Sequence, residues 1–295
     1  MSVSAAPVAV LYRGSKALSE EFSLVLEATG IDHVVTEADG AWLVTVSPPL
    51  LHRAYDEISR YVSERRVPRP TLPRVKPFRG AAAGAIGYAL VLLIPGYCAG
   101  ARMFGADWLS LGALEAGAAH EWWRALTALT LHADQEHLLG NLLAGVIAGI
   151  GAGRLLGPGM AWASILAASG LANYVEMLAA PPTHRAIGAS TAVFACLGLL
   201  TGLAWRQRLS LRERRWQALA PLIAGVCLLT FLGSGDAHVD VLGHALGFMM
   251  GLALGWLYAR AGMPRSRGRF LQIATGTGAA ALISAAWIIA LRRGA

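Results

Sequence analysis

From Gly80 onward the sequence is a succession of apolar segments long enough to cross a bilayer, and few folds accommodate that. A hydrocarbon core takes roughly 20 helical residues per crossing. Inside it, every backbone polar group must be satisfied within the segment or by a closed partner. Seven stretches come close to that length: residues 80–99, 137–153, 159–179, 188–205, 217–233, 241–260 and 270–291. Short polar or Arg-rich links separate them. Of the 295 residues, 55% are hydrophobic and only 15% charged, and the imbalance lies almost wholly after residue 79. The pattern predicts an all-α polytopic membrane bundle behind a front end of ordinary soluble composition.

The arginines set the expected orientation. "RVKPFRG" (74–80) precedes the first segment, Arg154 follows the second, "RQRLSLRERR" (206–215) follows the fourth and "ARAGMPRSRGR" (259–269) follows the sixth. With alternating segments these lie on one side, which the positive-inside rule makes cytoplasmic. The loops 100–136, 180–187 and 234–240 carry few basic residues and fall on the other side, while Arg292 and Arg293 mildly break the pattern. The net charge of +7 is therefore a topology signal. No nucleic-acid partner is expected, because the basic residues flank segments instead of lining one face. No signal peptide is expected either, since the first apolar segment starts near residue 80. Cys98, Cys196 and Cys227 sit inside apolar segments without a CxxC pair and read as small fillers.

The front end alternates short strand and helix patterns. Residues 8–12, 31–36 and 41–46 predict strands, the last two joined through Asp39-Gly40. Leu18, Phe22, Val25 and Leu26 recur at helical spacing, and Leu51, Ala54, Tyr55, Ile58 and Val62 mark a second helix. The order is βαββα, a small α+β module over residues 1–64, followed by a Pro- and Arg-rich linker at 65–79. His33 and His52 stand alone in it and read as structural.

Polar side chains inside a membrane segment are costly to desolvate and point to function. His137 and Asn141 are four apart and share one helix face at the start of the second segment. Ser190 opens the fourth segment in "GASTAVFA" (188–195), and His244 lies early in the sixth, within "GHALGFMMG" (243–251). Segments two, four and six enter from the same side, so these four residues share one depth. A serine hydroxyl needs a base to accept its proton, and neutral histidine suits that task. The oxyanion of acyl transfer needs donors fixed in advance, which the Ser190 N–H, the Asn141 amide and a His137 ring N–H would supply. Gly247 and Gly251 allow close approach of the sixth helix to the fourth, with Ala189 and Ala192 near the contact.

Each residue also has a plainer reading. Alone, Ser190 is a helix cap, and His244 an interfacial histidine bonded to a carbonyl. His132, Glu136 and His137 suggest a metal site, but the first two precede the helix and no third convergent ligand is evident. No metal and no cofactor are expected.

Together the motifs resemble the rhomboid family of intramembrane serine proteases over residues 80–260. "EWWR" (121–124) resembles the family's WR motif at Trp123 and Arg124, and His132, His137 and Asn141 follow the spacing of its His-Asn motif. "GAS" (188–190) resembles the GxSx nucleophile motif, and "GHALGFMMG" the HxxGxxxG motif with Gly247 and Gly251. The resemblance implies a six-helix core, with residues 261–295 adding a seventh helix. It also implies a Ser190–His244 dyad, an oxyanion hole of His137, Asn141 and the Ser190 backbone, and supporting roles for Gly188 and His132. Thr191 stands where many members have Gly, and Phe194 takes the place of an aromatic ring that stacks on the catalytic imidazole. Asp240, four residues before His244, reads as a loop-end residue that could cap the helix, and His238 as a loop residue. The implied activity is cleavage in or near transmembrane helices of membrane-protein substrates. The implied setting is the lipid bilayer of a bacterial inner membrane, with the N-terminus cytoplasmic and the site opening to the other face. Two readings from other classes remain: a non-proteolytic rhomboid-like protein that binds transmembrane helices, and a transporter.

Overall fold

The computed structural model describes residues 7–66, 77–210, 215–233, 240–262 and 268–294. Residues 67–76 of the linker expected at 65–79 lie outside the described residues, as do His238 and the rest of 234–239, while Arg65 and Arg66 belong to the second helix of the first unit and not to a linker. The chain divides into two units between residues 71 and 72.

The first unit runs β1 (Ala9–Gly14), α1 (Lys16–Ala28), β2 (His33–Ala38), β3 (Ala41–Val46) and α2 (Leu51–Arg66). Its sheet is antiparallel in the order β1-β3-β2. The β2–β3 turn is tight because Asp39 and Gly40 both adopt positive φ, 50° and 72°, as a two-residue hairpin turn requires. Leu26, Ile31, Val44, Val46 and Ala54 form its core. Tyr55, expected on the buried face, is 62% exposed, and Leu18 is also exposed. Tyr61 and Arg65 of α2 both hydrogen-bond Glu21 of α1, which lowers the Glu21 pKa and pins one helix to the other.

The second unit is helical. It contains α3 (Ala81–Gly100), the short α4 (Trp108–Gly112), a β4 strand (Leu114–Glu115), α5 (Arg124–Thr127), α6 (Gln135–Leu156) and α7 (Pro158–Ala179). Then come β5 (Arg185–Ala186), α8 (Ser190–Ser210), α9 (Arg215–Gly233), α10 (Val241–Arg260) and α11 (Arg269–Gly294). By length and composition, α3, α6, α10 and α11 are each able to cross a membrane. The polarity of α7 and α8 is turned inward: Ser164, Ser169, Asn173 and Glu176 on α7, and Thr191 and Thr201 on α8, are all buried. Lipid-sized apolar residues such as Ile86, Ile94, Leu143 and Ile147 remain exposed on α3 and α6. In water such a surface would be a liability.

Helix α8 is the axis of the unit, with Ala192, Cys196, Leu199 and Leu203 in the main core. Its closest partner is α10, and glycines set that contact. A Cβ on Gly247, Gly251 or Gly255 would strike the carbonyl of Thr191, Ala195 or Leu199, respectively. Reciprocally, Gly198 and Gly202 lie against the carbonyls of Phe248 and Leu252. Both series ascend together in steps of four, so the helices run parallel with backbones nearly touching. The sequence expected Ala189 and Ala192 near this contact; the atoms that the α10 glycines meet are the backbone of Thr191, Ala195 and Leu199.

The C-terminal helix α11 is joined to the bundle by specific polar groups. Gln272 donates to the Leu156 carbonyl and accepts from the Met160 N–H, both at 3.1 Å, across the α6–α7 junction. Near the other end, the Trp287 Nε1–H donates to Thr130 Oγ1 at 3.0 Å and its ring packs on Trp108 at 4.6 Å.

Candidate active site

The segment leading into Ser190 is held at each step. Strand β5 pairs with β4 of the first long loop, joining Arg185 to Glu115 and Ala186 to Leu114. The Gly188 N–H then donates to the Ala128 carbonyl at 2.9 Å, and the Ala189 N–H to His132 Nε2 at 3.3 Å. Gly188 has φ +136°, and a Cβ there would sit 2.9 Å from Cε1 and Nε2 of His137. Both the conformation and the close approach therefore require glycine. The Ala189 carbonyl accepts the first intrahelical bond, from Val193, so Ala189 occupies the capping position and Ser190 is the first helical residue. The cap reading of Ser190 is thus not the arrangement seen.

From the other side α10 delivers His244. Asp240 caps this helix, its Oδ1 accepting from the Gly243 N–H at 2.9 Å. His244 is buried, and its ring lies 4.5 Å from that of Phe194, one turn beyond Ser190, with planes at 38°. One turn further along, Gly247 meets the carbonyl of Thr191, the residue after Ser190. A small cavity of about 10 Å³, room for about one water, is lined by Ser190 together with Gly188, Thr191, Ala128, Asn173 and Asp240. A larger space of about 400 Å³ between α3, α7 and α11 is almost wholly apolar and carries none of this chemistry.

On α6, Asp134 caps the helix through the His137 N–H at 2.7 Å. The rings of His137 and His132 lie edge to face at 5.0 Å. Asn141 is buried; its Nδ2 donates to the His137 carbonyl at 3.1 Å, which leaves its second amide hydrogen for another acceptor. The Tyr88 hydroxyl donates to the Asn141 carbonyl at 2.9 Å and ties α3 to this turn. His132, Glu136 and His137 do not gather as a metal cluster among the described residues.

Trp123 and Arg124 organise the first loop away from Ser190. The Arg124 guanidinium donates to the carbonyls of Ser110 and Ala113, both at 2.8 Å, and pairs with Glu121. Trp123 is buried beneath Arg293 of α11, whose guanidinium carbon lies 5.8 Å from the ring centroid. Asn173, Glu176 and His184 were not singled out from the sequence. Asn173 donates to the Ala125 carbonyl at 3.0 Å, and the Glu176 carboxylate bonds His184 at 2.7 Å. Two polar residues three apart in an apolar segment were the available signal.

His132 links this geometry to pH. Burial lowers its pKa to about 4, so the ring is neutral and keeps the lone pair that accepts from Ala189. The unfolded chain protonates its histidine near 6.5. Stability from this group is therefore complete above that pH and is lost as pH falls toward 4. With a discount for partial exposure, the loss reaches about 2 kcal/mol by pH ~4.5. Thermal unfolding in detergent between pH 7 and 4.5 should fall more steeply for the wild type than for His132→Asn. Equal slopes would remove this role for His132.

The chain also has relatives. The family model described as Rhomboid domain matches residues 119–261. Over 176 residues the chain is 31% identical to "Rhomboid protease GluP" of Bacillus subtilis (strain 168), covering 59% of this chain and 31% of that protein. Over 141 residues it is 32% identical to "Rhomboid-like protease 2" of Toxoplasma gondii, covering 46% of this chain and 48% of that one. The chain thus spans less than half the length of either relative. With the helices able to cross a membrane, these matches support an integral membrane protein whose residues 119–261 match a Rhomboid domain.

Proposed function

We propose that the chain is an intramembrane serine endopeptidase in which Ser190 is the nucleophile and His244 the general base. The observation that carries the reading is the convergence at the start of α8. The His244 ring packs against that of Phe194 in a tilted pair, and Gly247 brings α10 against the backbone of Thr191, next to Ser190. Both relatives above bear protease names.

The chemistry follows from these positions. His244 accepts the Ser190 hydroxyl proton as Oγ attacks a scissile carbonyl, then returns it to the leaving amine. Water hydrolyses the resulting acyl-enzyme with His244 again as base. The oxyanion is held by the Ser190 N–H, which as the first helical donor has no intrahelical acceptor, with the free Asn141 amide hydrogen and a His137 ring N–H. The positive end of α8 adds to this field. In this reading the base works as a dyad without a carboxylate, and Asp240 serves as the α10 cap through Oδ1. Substrates are membrane proteins with a transmembrane helix that unwinds locally, because an intact helix presents no free backbone to a protease. The arginine distribution puts the first unit in the cytoplasm and the site toward the opposite face. In this reading α9 serves as a side gate for the substrate.

The test is labelling by a serine-directed fluorophosphonate, with cleavage of a single-span reporter in liposomes. The wild type should label and cleave, and Ser190→Ala should do neither. Cleavage that survives in Ser190→Ala removes the assignment. A wild type that neither labels nor cleaves points to a helix-binding relative without protease activity.

A further inference from the structure

Three side chains from separate parts of the second unit converge behind the Ser190 segment. Glu176 lies in the last turn of α7, His184 in the loop that runs into Ser190, and Asp240 caps the helix that carries His244. One donor atom from each lies within 4.8 Å of the other two. Glu176 Oε1 is 2.7 Å from His184 Nε2, which is 4.0 Å from Asp240 Oδ1. The Glu176 side chain is fully buried; as a carboxylate its Oε2 has no hydrogen-bond donor, and only a proton on one of the two carboxyls would join it to Asp240. That oxygen and Asp240 Oδ2 both border the space where a Gly243 side chain would project, 2.8 Å from Oε2. Glycine at 243 keeps this space open.

We propose that Glu176, His184 and Asp240 bind a divalent transition-metal ion of the zinc class. Two carboxylates this close, one fully buried and the other mostly so, need a cation or a proton between them. A single 2+ ion neutralises both, and the added imidazole favours zinc-like ions over magnesium or calcium. Four-coordinate zinc with arms of about 2.1 Å spaces its ligands about 3.4 Å apart. The separations of 2.7 and 4.0 Å bracket that value, so small side-chain rotations seat the ion. Three protein ligands leave a fourth position for water. Asp240 Oδ1 accepts the Gly243 N–H through one lone pair and has a second for the metal, so the helix cap and the ligation are compatible. Bound there, the ion joins the segment entering Ser190 to the start of α10 and fixes their spacing from outside the dyad. This is a different ligand set from His132, Glu136 and His137, which the sequence had suggested and set aside.

The test uses full-length protein in detergent, stripped with a chelator. Co²⁺ should give the visible absorption of a tetrahedral site, which one equivalent of Zn²⁺ removes, and Zn²⁺ should raise the Tm by several degrees where Mg²⁺ does not. Glu176→Gln and Asp240→Asn should each weaken Co²⁺ binding at least about 100-fold. Both retain neutral hydrogen-bonding groups, and Asn caps a helix as well as Asp does, so these variants separate lost ligation from lost folding. Ser190→Ala should bind the ion like the wild type, which keeps the result independent of the protease reading. A wild type that ignores Co²⁺ and Zn²⁺ overturns the proposal and leaves a proton shared between the carboxylates. So do variants that bind with undiminished affinity.

Discussion

With His244 as the proposed base, His244→Ala should lower reporter cleavage by about 10³- to 10⁴-fold while the protein still folds. The size of the effect follows from the role: without a base, the Ser190 hydroxyl stays protonated and attacks poorly. The fold survives because the packing between α8 and α10 rests on Gly247, Gly251 and Gly255, not on the imidazole. Among the protein's structural losses is the tilted ring contact with Phe194, worth about 1 kcal/mol. Asp240→Asn is the informative companion. Because Asp240 Oδ1 bonds the Gly243 N–H, the carboxylate acts on the helix, and asparagine keeps that cap. Cleavage should therefore fall less than about tenfold in Asp240→Asn. Equal losses in the two variants would make Asp240 the third member of a triad.

That Ser190 and His244 each open a helix was readable, because segment length and the flanking polar residues mark where apolar helices begin. Which residues surround them was much less so. Asn173 lines the small cavity beside Ser190 and Glu176 lies one turn on, yet their partners, the Ala125 carbonyl and His184, are 48 and 8 residues away. No local spacing reveals the first of these. The β4–β5 pair is two residues on each side, too short to leave an alternating pattern. The role of α11 was invisible for the same reason, since Gln272 and Trp287 act on residues 116 and 157 positions earlier. The glycines gave a correct hint of close packing but not its register. A helix offers several i,i+4 rows, and the sequence of α8 is small and apolar on most of them.

That register yields a pair of substitutions identical in chemistry and opposite in sign. A Cβ at Gly251 would meet the Ala195 carbonyl carbon at 2.8 Å and the Leu199 nitrogen at 2.9 Å, both backbone atoms that cannot rotate away. At Gly278 on α11 nothing lies within 4 Å. Gly278→Ala should therefore gain up to about 1 kcal/mol from helix propensity alone. Gly251→Ala should lose roughly 1–3 kcal/mol, because α10 must back away from α8 along its length. Gly251→Leu should lose more, and it should also abolish fluorophosphonate labelling at temperatures where the protein is still folded, as His244 withdraws with its helix. Thermal unfolding in detergent, read beside labelling, separates the two effects. If Gly251→Leu retained wild-type stability and labelling, the backbone contact between α8 and α10 could not be what holds His244 at Ser190.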